Sequence, residues 1–425
     1  MYKKARNIII TIMLISTILL VQLVYTPLPI NLSGVNSAND LQHKIMEITP
    51  ELMEKYSVVG TSVVYIENGE LQFIENFGYS DENAQRQINN NTSYYMASLS
   101  KPMTGWGVMN LVQNDVIDLN EPIFNYISTW NLPNSEFNAD GITAKTLLSH
   151  TSGMVHFPTT GIPMTTELQT VEEALTAPLD VAHGAHQVQE AGESIIYSNA
   201  GYGLLELAIE ETTGLSYNKY MKENILEPLG MNDSTFSIEG LNDLGKVYNE
   251  NGTEEELLKY SIKASAGLIS TPNDIATWLL NTLNPNSILN EETIDTMLTE
   301  VEITNSDLIT KLTGGFGLSY SIEPIYFRDE VMYTHTGNNP PGWKHMVAFD
   351  TDSKSAIAIL TNSQNGDSLY AELIDLYTKY IYDGTSFTAM FNVNLFRYLP
   401  YWGTMIVICG VALIFLKIKK PKEFK

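Results

Sequence analysis

Strand-forming sequence is confined to the two flanks of this chain's interior, and helix-forming sequence fills the stretch between them. On the first flank, Gly60 to Tyr79 reads as a β-hairpin. Thr61-Ser62-Val63-Val64-Tyr65-Ile66 and Leu71-Gln72-Phe73-Ile74 surround Asn68-Gly69. Asn-Gly between two β-rich runs is a strong hairpin signal, because both residues tolerate positive φ. On the far flank, Gly315–Ile322, Val331–His335, Lys344–Phe349 and Ala356–Thr361 have strand composition, the last two joined through Asp350-Thr351-Asp352-Ser353. Helical patterns cover 41–56, the segment from Ser98 to about Asn114, 171–177, 201–213, 217–226 and 368–382. The order β, then α, then β predicts an α+β protein. One antiparallel sheet is built from both flanks, helices cover its faces, and a mostly helical lobe is inserted. The expected sheet lobe is 41–118 with 266–384, and the expected helical lobe is 119–265. A cleft between two such lobes is the default place for a site.

The two ends have a different character. Ile8 to Tyr25 is an almost unbroken apolar run behind Lys3, Lys4 and Arg6, so residues 1–38 are expected to be a signal peptide or an N-terminal anchor. A second apolar run, 399–416, is flanked by Tyr398, Tyr401 and Trp402 on one side and by Lys417, Lys419, Lys420, Lys422 and Lys425 on the other. Roughly 18 helical residues at about 1.5 Å each nearly span a bilayer core. These features predict a C-terminal transmembrane helix, a linker at 385–398 and a cytoplasmic basic tail at 417–425. The domain 39–384 is then expected outside the cell membrane, with the lipid bilayer as a partner of the helix. The formal net charge is −25, and removing the basic ends makes the remainder more acidic still. Such a surface repels nucleic acid, which is excluded as a partner. The sole cysteine, Cys409, lies in the second apolar run, so the interior can form no internal disulfide.

Chemistry is suggested first by Ser98-Leu99-Ser100-Lys101, in the run Tyr95-Met96-Ala97-Ser98-Leu99-Ser100-Lys101-Pro102. An i, i+3 spacing on a helix puts serine and lysine on one face. A desolvated lysine amine can accept the serine proton, and the free N–H groups of a first helical turn favour negative charge there. The spacing alone is common on surface helices, so the argument needs more than this motif. Tyr197-Ser198-Asn199 opens a helical pattern, His335-Thr336-Gly337 ends a strand pattern, and Leu147-Leu148-Ser149-His150-Thr151-Ser152-Gly153 lies between the first motif and the second.

Ser-X-X-Lys, Tyr-X-Asn and Lys/His-Thr-Gly in this order resemble the serine β-lactamase and penicillin-binding protein superfamily, in its class C-like branch. The blocks Leu229-Gly230-Met231, Ala266-Gly267-Leu268-Ile269-Ser270-Thr271 and Gly315-Phe316-Gly317-Leu318 extend the resemblance over roughly 41–383. It implies a β-lactamase/transpeptidase-like fold and acyl transfer without cofactor or metal. Ser98 would be the nucleophile, and Lys101 and Tyr197 would share the proton work, either being the base. Asn199 would orient Lys101 and bind a substrate amide. The N–H groups of Ser98 and Asn338 would form the oxyanion hole, and Thr336 would contact a substrate carboxylate, with His335 and Gly337 completing the third motif.

The sequence departs from class C β-lactamases at His335, where lysine is usual. A histidine supplies no permanent charge for a β-lactam carboxylate, which argues against efficient β-lactam hydrolysis. The resemblance therefore points to a D-alanyl-D-alanine carboxypeptidase-like peptidase acting on D-residue-containing cell-wall peptides. A D-aminopeptidase, a prodrug-cleaving peptidase, an esterase, a β-lactamase and a non-catalytic binding protein are the alternatives. The partner is a peptide or β-lactam-like small substrate. His150 reads as structural, His183 and His186 lack a third ligand for zinc, and Arg328 reads as one half of a surface ion pair.

Overall fold

A computed structural model describes residues 34–158, 160–239, 244–306, 314–326 and 328–389. The first described helix, α1 (Ala38–Tyr56), is capped by Ser37, whose side chain accepts from the Asp40 N–H. Leu41, Ile45, Ile48 and Leu52 form its buried stripe, at the spacing an amphipathic helix requires. The hairpin follows as β1 (Gly60–Glu67) and β2 (Glu70–Asp81), turning at Asn68 and Gly69, both with positive φ. A two-residue strand, β3 (Arg86–Gln87), extends it.

The far flank supplies β4 (Ser321–Tyr326), β5 (Val331–Asn339), β6 (Trp343–Asp350), β7 (Ser355–Thr361) and the short β8 (Thr385–Ser386). Together they make an eight-stranded sheet in the order β8-β4-β5-β6-β7-β1-β2-β3. Every neighbouring pair is antiparallel. The join between the flanks is the β1–β7 pair, in register from Thr61↔Thr361 to Ile66↔Ala356. Residues of β6 and β7 are buried throughout, which explains their near-continuous apolar composition. The helix α1 and a closing helix over Gly366–Tyr382 pack together, and a helix over Pro272–Leu283 packs on β1, β2 and β7.

The helix after Ser98, α2 (Ser100–Gln113), is buried nearly all round, from Ser100 to Met109 and at Leu111. A helix apolar on every side belongs inside a core. Its glycines permit close packing: a Cβ at Gly105 would lie 2.6 Å from Ser319 Oγ, and one at Gly107 2.6 Å from Met221 Sδ. Another long helix, α3 (Asn199–Thr213), packs on α2 and on the turn Lys263–Ala266. No residue between 119 and 265 joins the eight-stranded sheet among the described residues.

Two expectations are corrected. Gly315–Tyr320 is not strand, because Ser319 takes a positive φ of 71° and Leu318 N–H and Ser319 N–H are drawn to Met297 O and Leu148 O. The membrane-spanning helix, and with it the single-pass membrane location and the bilayer partner, is not supported. Among the described residues no helix is long and apolar enough to cross a membrane. The longest described helices are interrupted by charge: α1 carries Asp40, Lys44, Glu47, Glu51, Glu54 and Lys55, and the helix over Gly366–Tyr382 carries Asp367, Glu372, Asp375 and Lys379. The runs 8–25 and 399–416 and the tail 417–425 lie outside the described residues.

Candidate active site

Ser98 lies in a 3₁₀ turn, Ala97–Leu99, that leads directly into α2. Ala97 has a φ of 51°, an uncommon backbone for alanine that persists only when surroundings enforce it. They do so here through several bonds. Met96 N–H donates to Leu268 O at 2.8 Å. Ser100 Oγ donates to Ala97 O at 2.6 Å and accepts from Leu268 N–H at 2.9 Å. His345 on β6 bonds Tyr95 O through Nε2 at 2.9 Å. The first turn of a helix leaves N–H groups without intrahelical acceptors, and Ser98 presents its own there.

One turn along, Lys101 is fully buried. Its Nζ lies 3.2 Å from Ser98 Oγ and donates to Ser265 O at 2.9 Å. It also sits 4.7 Å from the centre of the Tyr197 ring and 5.4 Å from that of Tyr202. Burial holds the Lys101 amine well below the usual lysine range. The Tyr197 side chain hydrogen-bonds Ser98, but burial outweighs that bond and raises the phenol above its ordinary value. Ser98 Oγ is thus flanked by an amine biased to its free-base form and a phenol biased to keep its proton. Ser98 itself is half-buried and so reachable from solvent.

Tyr197 stands just before α3, whose N-cap Ser198 accepts from Gly201 N–H, and Asn199 is the first helical residue, buried beside it. Tyr197 O is bonded to His156 Nδ1 at 2.8 Å. His335 on β5 is buried near Lys101. Its ring is pushed down to about 3 by burial first and then by the lysine charge, so it is neutral. Its Nδ1 bonds Thr336 O at 2.9 Å.

Residues alternate across β5. His335 and Gly337 are buried toward the Ser98 turn, whereas Thr336 and Asn338 are exposed. Gly337 approaches so closely that a Cβ would stand 2.5 Å from Met96 O. β4 pairs with β5 only as far as Thr334, so among the described residues the edge from His335 to Asn339 has no strand beside it on that side. The Asn338 side chain accepts from Lys344 Nζ at 2.6 Å. The structure therefore gathers Ser98, Lys101, Tyr197 and His335, with Asn199 and Gly337 adjoining. The Thr336 and Asn338 side chains point to the exposed side of their strand.

Sequence reasoning missed Ser265, which acts through its carbonyl and carries no side-chain signal. It also missed Glu206 on α3. That carboxyl is fully buried, accepts from Ala264 N–H at 2.8 Å and is pushed up to about 8 by burial. It anchors the turn whose next carbonyl holds Lys101. His183 and His186 have ring centres 5.5 Å apart, and no group of three or more metal-binding side chains occurs among the described residues. Arg328 is paired with Asp383 at 2.5 Å.

A serine beside a buried lysine and a tyrosine, on a helix against an antiparallel sheet, is an arrangement that suits a serine hydrolase. The beta-lactamase family model matches residues 46–379, and the chain belongs to that family. Penicillin-binding protein 4* of Bacillus subtilis (strain 168) is 29% identical over 210 residues, 49% of this chain and 42% of that protein. The chain spans less than half the length of this and other curated relatives. Among solved structures, the octameric penicillin-binding protein homologue from Pyrococcus abyssi superposes with a TM-score of 0.65 at 26% identity, covering 79% of this chain and 77% of that one. The D-amino acid amidase from Ochrobactrum anthropi SV3 shares the fold, with a TM-score of 0.63 at 24% identity over 76% of this chain and 91% of that one.

Proposed function

We propose that the protein is a penicillin-binding-protein-like peptidase that cleaves amide bonds next to D-residues, with a D-alanyl-D-alanine carboxypeptidase-like activity on cell-wall peptides. The observation that carries the chemistry is Ser98 Oγ held between the Lys101 amine at 3.2 Å and the Tyr197 side chain. In this reading Lys101, as the free amine, takes the Ser98 proton while Oγ bonds to the substrate carbonyl carbon. The N–H groups of Ser98 and Asn338 hold the developing oxyanion, a contribution of about a hundredfold or more per donor. The nitrogen leaves with a proton relayed through Tyr197. Water then releases the acyl group by the reverse proton path. Asn199 orients Lys101 and binds the substrate amide, and Thr336 takes the carboxylate. The open edge His335–Asn339 suits an extended peptide, which can add to it as a strand does.

The substrate class is supported by the relatives named for penicillin binding. The fold shared with a D-amino acid amidase favours a second reading, an amidase or aminopeptidase for D-residues with a free amine. One experiment separates them. The full chain is incubated with an N-acylated peptide ending in D-Ala-D-Ala and, separately, with D-phenylalanine amide. Release of D-alanine from the peptide alone is the expected result. Turnover of the amide alone would replace the first reading with the second.

A further inference from the structure

His150 follows the helix Ala144–Leu148 and takes a left-handed backbone, φ 59°. It bonds the backbone N–H groups of the residues just before and just after Tyr197. The Ile196 N–H donates to His150 O at 2.8 Å. The Ser198 N–H donates to His150 Nδ1 at 3.2 Å. Between these two bonds the imidazole lies on the Tyr197 ring, centre to centre 4.2 Å with the planes 33° apart. Tyr202 and Phe316 pack on the same imidazole, at 5.3 and 5.7 Å.

Because Nδ1 accepts, the neutral ring carries its hydrogen on Nε2. Nε2 is buried and has no hydrogen-bond partner among the described residues. A buried donor left unmatched is a cost that phenylalanine at this position would avoid. The Nδ1 acceptor, which holds the Ser198 N–H, offsets that cost. The charged and titratable groups facing the ring are Lys101, His335, Tyr197 and Tyr202. Burial, then Lys101 and His335, hold the imidazole well below its ordinary range, so the grip persists through neutral pH.

We propose that His150 is a positioning residue that clamps the backbone on both sides of Tyr197 and so holds the phenol against Ser98 and Lys101. This rests on the reading of Ser98, Lys101 and Tyr197 as the acyl-transfer group. An error of about 1 Å in such a group can cost roughly a hundredfold in rate.

The test uses the full-length protein and the p-nitrophenolate released from p-nitrophenyl acetate. His150→Phe keeps the ring stack and removes the acceptor. His150→Asn supplies an oxygen near the place of Nδ1 and tolerates the left-handed backbone. His150→Gln places its polar end near Nε2 instead. The expected result is a tenfold to hundredfold fall in kcat with KM within twofold for His150→Phe and His150→Gln, and recovery to within fivefold of wild type for His150→Asn. Equal kcat in His150→Phe and wild type overturns the proposal, as does an equal loss in His150→Asn and His150→Gln. Should His150→Phe fail to fold, the Asn and Gln variants decide alone. A Ser98→Ala control separates the two failures: activity surviving there overturns the acyl-transfer reading itself.

Discussion

Replacing Gly337 by alanine would place a methyl carbon 2.5 Å from Met96 O and 3.0 Å from His345 Cδ2. Ordinary contact needs about 3.5 Å, so β5 and the Ser98 turn must separate by roughly 1 Å. Neither side yields cheaply. Met96 is tied by its N–H to Leu268, and His345 bonds both Tyr95 O and Thr361 N–H. Overpacking of this kind costs about 1–3 kcal/mol, a shift of only a few degrees in Tm for a domain of this size. The functional loss is larger, because the same separation pulls the Asn338 N–H away from the Ser98 N–H. A displacement near 1 Å is worth about a hundredfold in rate. Gly337→Ala should therefore fold, melt a few degrees lower, and acylate about a hundredfold more slowly in stopped-flow measurements with p-nitrophenyl acetate. Acylation within threefold of wild type in the folded variant would refute the placement of that strand edge as half of the oxyanion hole.

Lys101→Arg replaces an amine that burial biases to its free form with a guanidinium that stays charged, so acylation should fall by about a hundredfold to ten-thousandfold at every pH. In the wild type, a lowered lysine pKa means that activity is lost as pH falls through that lowered value and is flat above it. A rate still climbing toward pH 10 would contradict this. The Glu206 carboxyl, at about 8 when folded against 4.5 when free, keeps a proton that the unfolded chain has lost. Its contribution to stability is present below about 4.5 and declines as pH rises to about 8. Glu206→Gln removes that decline and should gain on the order of a few kcal/mol over wild type at pH 8 relative to pH 4.5. Guanidinium midpoints at the two pH values check it, and parallel pH dependence in both proteins would sink it.

The sheet could be read from the sequence where local and tertiary demands agree. Asn68-Gly69 supplies the positive φ that the turn requires, and β6 and β7 are apolar because both faces are covered. Gly315–Tyr320 misled because Gly-Phe-Gly-Leu alternates like a strand, yet Gly317 packs where a Cβ would meet Met297 O at 2.3 Å. Strand there loses to close packing. In the site, Ser98, Lys101 and Tyr197 were visible as residue types in order. The Ser265 carbonyl, the buried Glu206 carboxyl and the His150 ring were not, because their parts follow from distances across 48 to 164 positions of chain. His150 reads as structural from its loop alone, and its grip on Tyr197 exists only once α3 is packed beside it.

The most direct test of the account is the intact mass of the full-length protein after exposure to benzylpenicillin, followed by peptide mapping, with Ser98→Ala and Lys101→Arg in parallel. The account predicts one penicilloyl adduct on the peptide containing Ser98, absent in Ser98→Ala and formed far more slowly in Lys101→Arg. An adduct that persists in Ser98→Ala, or maps to another residue, would contradict it.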